Sequence, residues 1–336
     1  MRAPNTTMQG SIAEGSFRRH PLLHNSHLQT LFPALLRPLP ELEIRRERLE
    51  LPDGDFVDLG WSGASIPGAP LAVLVHGLTG DFESKYLRGT SRKLIAAGWR
   101  TVMLQLRGAG GEPNRLRKSY HQGDTADLRY LLHLLRARES DIFLAVVGWS
   151  LGGNITLKAM GEEGDDAPVN CAAAASVPFR LRPCVDVLRR GFARNYQNKM
   201  LNALKDQMWR KHAKVPAPPE INLKLANAAQ DFIEWDNAYT APLNGFADAE
   251  DYYARSECAP FIPAICRPTL IVHSVDDPFM DPTITPGRDA LAPQVTLELT
   301  QRGGHVGFVA SGRYGQPVYW LEQRLTDFLQ AELQKR

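Results

Sequence analysis

Gly148-Trp149-Ser150-Leu151-Gly152 lies between an apolar run, Asp141 to Val147, and a helix-like stretch, Gly153 to Met160. That order predicts a strand, a sharp turn carrying a serine, and a helix that begins at once. The backbone of a serine on so tight a turn is strained, and the residues two before and two after it must lack side chains that would collide. Both are glycine here. Such a turn lifts the Ser150 hydroxyl above a sheet edge at a helix N-terminus, where the Leu151 amide can donate to a developing oxyanion. The competing reading is an ordinary tight turn whose serine caps the helix.

A nucleophilic serine needs a base to take its proton, and the base needs a third group to fix its tautomer. Downstream, Pro268 to Ser274 reads as a β-branched strand running into Val275-Asp276-Asp277-Pro278, a turn that presents a carboxylate at the strand's C-terminal end. A second strand, Val295 to Thr300, leads into Gly303-Gly304-His305-Val306-Gly307-Phe308, where glycines free the loop to bring the imidazole over the sheet. Counted from Pro268, the acid of such a site usually lies about nine residues on, in the loop just after the strand, which selects Asp277 over the alternative Asp276; Asp276 then points elsewhere or caps the turn. Of the nine histidines only His305 has this order and loop; His273 falls inside a strand and reads as a packed core residue.

The oxyanion site needs a second amide from the loop after an earlier core strand. Leu71 to Val75 runs into His76-Gly77-Leu78-Thr79-Gly80, and Gly77 lets the chain turn so that the Leu78 amide faces the site. His76 is expected to order that loop rather than perform chemistry.

Serine, then acid, then histidine is the chain order of α/β-hydrolases. The four segments around Leu78, Ser150, Asp277 and His305 together resemble the YheT-type branch of that superfamily. Asn25-Ser-His-Leu-Gln-Thr-Leu31, the pair Arg107-Gly108, and the stretch Phe232 to Phe246 are similar to the branch's signatures. The resemblance spans roughly residues 20 to 330. It implies an α/β-hydrolase fold and a serine hydrolase of short- or medium-chain carboxylic esters, with relatives acting on acyl esters or lipids. Acyltransferase or thioesterase chemistry uses the same parts, and a non-catalytic scaffold that binds a lipid or partner is the rival from another class.

The rest of the chain agrees with an α/β class. Core strands are predicted at Leu71 to Val75, Arg100 to Leu104, Ile142 to Val147, Cys171 to Val177, Thr269 to His273 and Val295 to Leu299, after an antiparallel pair at Glu41 to Leu51 and Phe56 to Trp61. Helices at Ser84 to Ala97, Asp124 to Arg138, Leu151 to Met160 and Pro317 to Gln334 alternate with them, which calls for a mostly parallel sheet with helices on both faces. Gly98 and Gly161 are expected as helix stops, and Asp124 as a cap. Residues 1–20 are polar and expected to be disordered; 21–177 and 268–336 form the core. The alternation stops over 178–267, an aromatic-rich interval expected to be a mainly helical cap with one long helix at Val185 to Arg210.

At 336 residues the chain can bury about three quarters of its extended surface. A net charge of +2 argues against a dedicated nucleic-acid surface, and Arg115 to Lys118 with Arg189-Arg190 read as solvated faces or a basic rim. Four scattered cysteines lack metal or redox spacing, so a reducing cytoplasm is the expected compartment. No apolar stretch reaches the ~20 residues that span a bilayer, leaving peripheral lipid contact open. His20, His24 and His27 lack a completing carboxylate or thiol, so no metal is expected, and no cofactor is needed. Gly108 to Gly111 lacks the spacing of a nucleotide loop.

Overall fold

The computed structural model describes residues 9–64 and 66–336. In chain order the first half runs β1 (Ser11–Glu14), α1 (Ser26–Leu35), β2 (Arg45–Glu50), β3 (Phe56–Ser62), β4 (Leu71–Val75), α2 (Lys85–Ala96), β5 (Arg100–Gln105), α3 (Ala126–Arg138), β6 (Leu144–Trp149), α4 (Leu151–Glu163) and β7 (Cys171–Ala175). A helical interval follows: α5 (Leu181–Leu188), α6 (Ala193–His212), α7 (Leu223–Ala228), α8 (Phe232–Trp235), a π-helical turn (Asp236–Thr240), α9 (Ala241–Asn244) and α10 (Ala249–Ser256). The chain then returns through β8 (Thr269–Ser274), β9 (Val295–Thr300), β10 (Val309–Ser311), β11 (Pro317–Tyr319) and α11 (Trp320–Gln334).

Nine of these strands form one sheet in the order β1-β9-β8-β7-β6-β4-β5-β3-β2. β1 and β4 to β9 run parallel, while β3 and then β2 reverse at one edge. A strand buried on both faces reads as a continuous apolar run, and β4 shows why. Its Leu71, Val73 and Val75 pack on one face with Leu128, Leu131 and Leu135 of α3 and Ile155 of α4. Ala72 and Leu74 pack on the other with Leu87 and Leu94 of α2 and Leu321, Leu325 and Leu329 of α11. β7 is Cys171 followed by four alanines, and these small side chains let α4 and α11 lie close on its opposite faces.

Several expectations are corrected. Disorder was expected over 1–20, of which 1–8 lie outside the described residues; Ser11–Glu14 instead extend the sheet, pairing in parallel with β9. An edge strand gains its stability from backbone pairing and needs no apolar pattern, and here Ser11 Oγ also meets Thr296 Oγ1 at 2.9 Å. The long helix expected at Val185 to Arg210 is two helices, broken where Gly191 takes a φ of 50°. Gly161 lies inside α4, where a Cβ would stand 2.1 Å from the Phe261 carbonyl oxygen; the stop is Gly164, with a φ of 53°. Thr125 directly precedes α3 and its hydroxyl bonds Glu162 at 2.5 Å rather than capping the helix, while the Asp124 side chain one residue earlier reaches the Ala126 amide. α11 begins only at Trp320, because Pro317–Tyr319 pair with β10.

Candidate active site

Ser150 joins β6 to α4 with φ 51° and ψ −119°, a conformation rare for a residue with a Cβ. The glycines on either side make room for it. A Cβ on Gly148 would lie 2.2 Å from the Gly152 carbonyl oxygen, and one on Gly152 would lie 2.2 Å from that of Val75. Backbone bonds then lock the turn: Ser150 N donates to Ala175 O at 2.9 Å, and Asn154 N to Ser150 O at 3.0 Å. Asn154 also ties α4 to the helical interval, donating to Gln122 O and Ser256 O and accepting from Cys258 N.

The loops after β8 and β9 meet at this serine. His305 Nδ1 stands 2.8 Å from Asp277 Oδ2, and His305 Nε2 stands 3.0 Å from Ser150 Oγ. An ionised carboxylate only accepts, so Nδ1 carries the proton and Nε2 is left to accept from the serine hydroxyl. Asp277 is 4% exposed and its other oxygen accepts from Phe279 N at 2.9 Å. Asp276 faces the other way: its Oδ1 accepts from Ser274 Oγ at 2.6 Å and Gly304 N at 3.1 Å, tying the two loops together. The Phe279 ring stacks on the imidazole, centroids 4.0 Å apart and 10° from parallel.

Three further residues fix the His305 loop, and no local pattern in the sequence marks them for this. Thr30 Oγ1 accepts from His305 N at 2.9 Å while donating to Ser26 O at 2.8 Å. Gln29, 1% exposed, accepts from Val309 N at 2.7 Å and donates to Val309 O and Leu23 O, each at 3.1 Å. Ser176 Oγ accepts from Val306 N at 2.9 Å. The first two belong to the stretch Asn25 to Leu31, whose physical role is therefore to clamp the histidine loop with α1.

The loop after β4 brings Leu78 to the same place. Gly77 N donates to Tyr86 Oη at 2.9 Å and Thr79 N to Tyr120 Oη at 3.0 Å. Between them, the Leu78 amide has no partner among the described residues, and neither has that of Leu151, whose place in the first turn of α4 gives it no intrahelical acceptor. His76 orders the loop. Its Nε2 accepts from Leu106 N at 3.1 Å, so its Nδ1 donates to Gly77 O at 2.7 Å, and burial lowers its pKa to about 4, keeping the ring neutral.

Two spaces open beside Ser150. One, of about 780 Å³ with its mouth, lies under the helical interval and takes in Leu78, Leu151, Leu181, Val185, Leu188 and Phe232. The other is a wide groove on the histidine side, reaching His305, Val306, Trp149 and α1. Of the aromatics over 178–267, Phe232, Trp235, Tyr252 and Tyr253 line the first space, whereas Trp209 and Phe192 are exposed. Asp236, which falls in the stretch Phe232 to Phe246 with no role expected of it there, lines it too; burial pushes its carboxyl up to about 7, and Tyr253 Oη donates to it at 2.7 Å.

The remaining candidates stand apart. His273 is buried against Phe179, its pKa lowered to about 4 by burial. His20 bonds Gly315 O, His27 bonds Tyr196 Oη and His24 is exposed, so the three do not converge. Arg115 pairs with Glu50, Arg117 with Glu220 and Arg189 with Asp231, which spends these cations in ion pairs. Among the described residues no helix is long and apolar enough to cross a membrane.

Comparison with known proteins gives this arrangement its relatives. A family model described as the alpha/beta hydrolase fold matches residues 70–310. YheT of Escherichia coli (strain K12), a candidate esterase by name, is 41% identical over 93% of this chain and 92% of its own. Phospholipase ABHD3 of Homo sapiens is 25% identical over 90% of this chain and 76% of its own. Among solved structures, the Pyrococcus furiosus esterase Pf2001 aligns with a TM-score of 0.55 at 14% identity, covering 86% of this chain and 93% of that one, a likeness of fold alone. Sequence match, sheet order and elbow agree: the chain belongs to the α/β-hydrolase superfamily, in its YheT-like branch.

Proposed function

We propose that this chain is a serine hydrolase of short- to medium-chain carboxylic esters, working through an acyl-enzyme on Ser150. The observation that carries the reading is the hydrogen-bonded series Asp277, His305, Ser150, ending at a serine beside two unpaired amides. In this mechanism His305 takes the hydroxyl proton as Ser150 Oγ attacks the ester carbonyl, and Asp277 steadies the imidazolium that forms. The Leu78 and Leu151 amides receive the oxyanion. His305 then gives its proton to the departing alcohol, takes one from water, and the serine ester is hydrolysed. The names of relatives, esterase, phospholipase and monoacylglycerol lipase, support an ester or lipid substrate.

Proton transfer also assigns the two spaces. The alcohol oxygen must reach His305 Nε2, so the alcohol occupies the groove that touches His305. The carbonyl oxygen sits at Leu78 and Leu151, and the acyl chain therefore runs on into the apolar cavity that these two residues border, under residues 178–267 acting as a cap. Rates on p-nitrophenyl esters of graded acyl length test the reading. Ser150→Ala and His305→Ala should each lose several powers of ten in kcat while the circular dichroism spectrum and Tm stay those of the wild type. A folded Ser150→Ala protein with wild-type activity would overturn it, and a folded wild type inert on every ester would favour a binding scaffold.

A further inference from the structure

The acyl cavity shares a wall with a second, smaller recess of about 430 Å³ with its mouth, between the helical interval and the segment after β5 that carries Gly108 and Ser119. Tyr120, Leu204, Trp235 and Thr240 line both spaces and form the wall they share. Three of the four are held from elsewhere. Tyr120 receives the Thr79 amide, the Trp235 ring packs against that of Tyr239, tilted by 43° with centroids 4.8 Å apart, and Thr240 closes the π-helical turn, its carbonyl accepting from Asn244 Nδ2 at 2.9 Å. Leu204 is different. It stands on α6, half-buried, at the seam where the two apolar clusters of the interval meet, and only van der Waals contact holds it.

We propose that Leu204 sets the length of acyl chain this protein accepts, an inference that rests on the ester-hydrolase reading above. A chain attached at Ser150 and threaded past Leu78 ends against this wall. A longer one must displace Leu204 toward the recess or leave its last carbons in water. Beyond the wall the recess offers apolar cover from Met208 and Leu243. The Lys211 amine at its edge is already engaged by Asn114 Oδ1 and Lys118 O, each at 2.7 Å, so joining the two spaces exposes no unpaired charge to the chain.

The test is the profile of kcat/KM against acyl length, measured on p-nitrophenyl esters from acetyl to palmitoyl. Leu204→Ala joins the two spaces, and the ratio of kcat/KM for esters two to four carbons past the wild-type optimum to that at the optimum should rise about tenfold or more, the discrimination that a methylene in an apolar pocket commands. Leu204→Phe should move the optimum the other way and provides the readout if the alanine variant does not fold. Met208→Ala enlarges the recess without opening the wall, so its profile should keep the wild-type shape; a shift as large as that of Leu204→Ala would mean general loosening and would overturn the inference. An active wild type whose Leu204→Ala and Leu204→Phe variants keep its profile defeats the inference alone. A folded wild type that hydrolyses no ester defeats the function on which it rests.

Discussion

Two adjacent aspartates with the same chemistry have different surroundings, and that difference separates their roles in the proposed mechanism. Asp277 offers an oxygen to His305 Nδ1, while Asp276 holds Ser274 and Gly304 and so staples the loops. Asp277→Asn can offer the ring an N–H in place of an acceptor and favours the tautomer that cannot take the serine proton. Its kcat should fall by about 10⁴-fold with little change in Tm. Asp276→Asn keeps a carbonyl oxygen able to accept from the same two donors, and its kcat should fall by no more than about tenfold. Steady-state rates on one activated ester compare them, and equal losses would contradict the assignment. Ser150 and His305 were legible in the chain because glycines at set offsets mark them. The residues that hold them were not: Thr30 meets His305 N across 275 positions of sequence, and no local pattern carries such a contact.

At the scale of elements, α1 has an unusual duty. Its N-terminus is fixed by Asn25, whose side chain accepts from Leu28 N, and its exposed face carries nothing of the sheet's core. Instead Gln29 and Thr30 hold the loop between β9 and β10. In Thr30→Val the His305 amide loses its acceptor, an imbalance of about 1–3 kcal/mol in a part-buried site. The expected result is a kcat lowered about tenfold with KM near the wild-type value, and recovery of most of the rate in Thr30→Ser, which restores the hydroxyl. Failure of the serine variant to recover would show that volume, not the hydrogen bond, matters there. The strands of the core were legible because β4, β6 and β7 are apolar on both faces and β9 alternates apolar with polar residues. Breaks such as Gly191 and the pairing of Pro317–Tyr319 were not, since a helical pattern continues through the first and nothing local distinguishes the second.

For the molecule as a whole, the parallel sheet explains why three distant segments converge. The C-terminal ends of β4, β6 and β8 lie at one edge, so the loop with Leu78, the elbow with Ser150 and the turn with Asp277 emerge side by side, and the loop after β9 adds His305. Alternation of strands and helices made that arrangement legible. Which residues line the apolar cavity beside Ser150 was not legible, even within the stretch Phe232 to Phe246, because Phe232, Trp235 and Asp236 face it through helix packing that has no sequence period of its own. The central claim, that the convergence creates a reactive serine, is met most directly by treating the folded protein with a fluorophosphonate and locating the adduct by peptide mass spectrometry. One equivalent should bond to Ser150, with labelling of His305→Ala slowed by orders of magnitude. A folded wild type that takes up no label, or takes it up elsewhere than Ser150, would contradict the account.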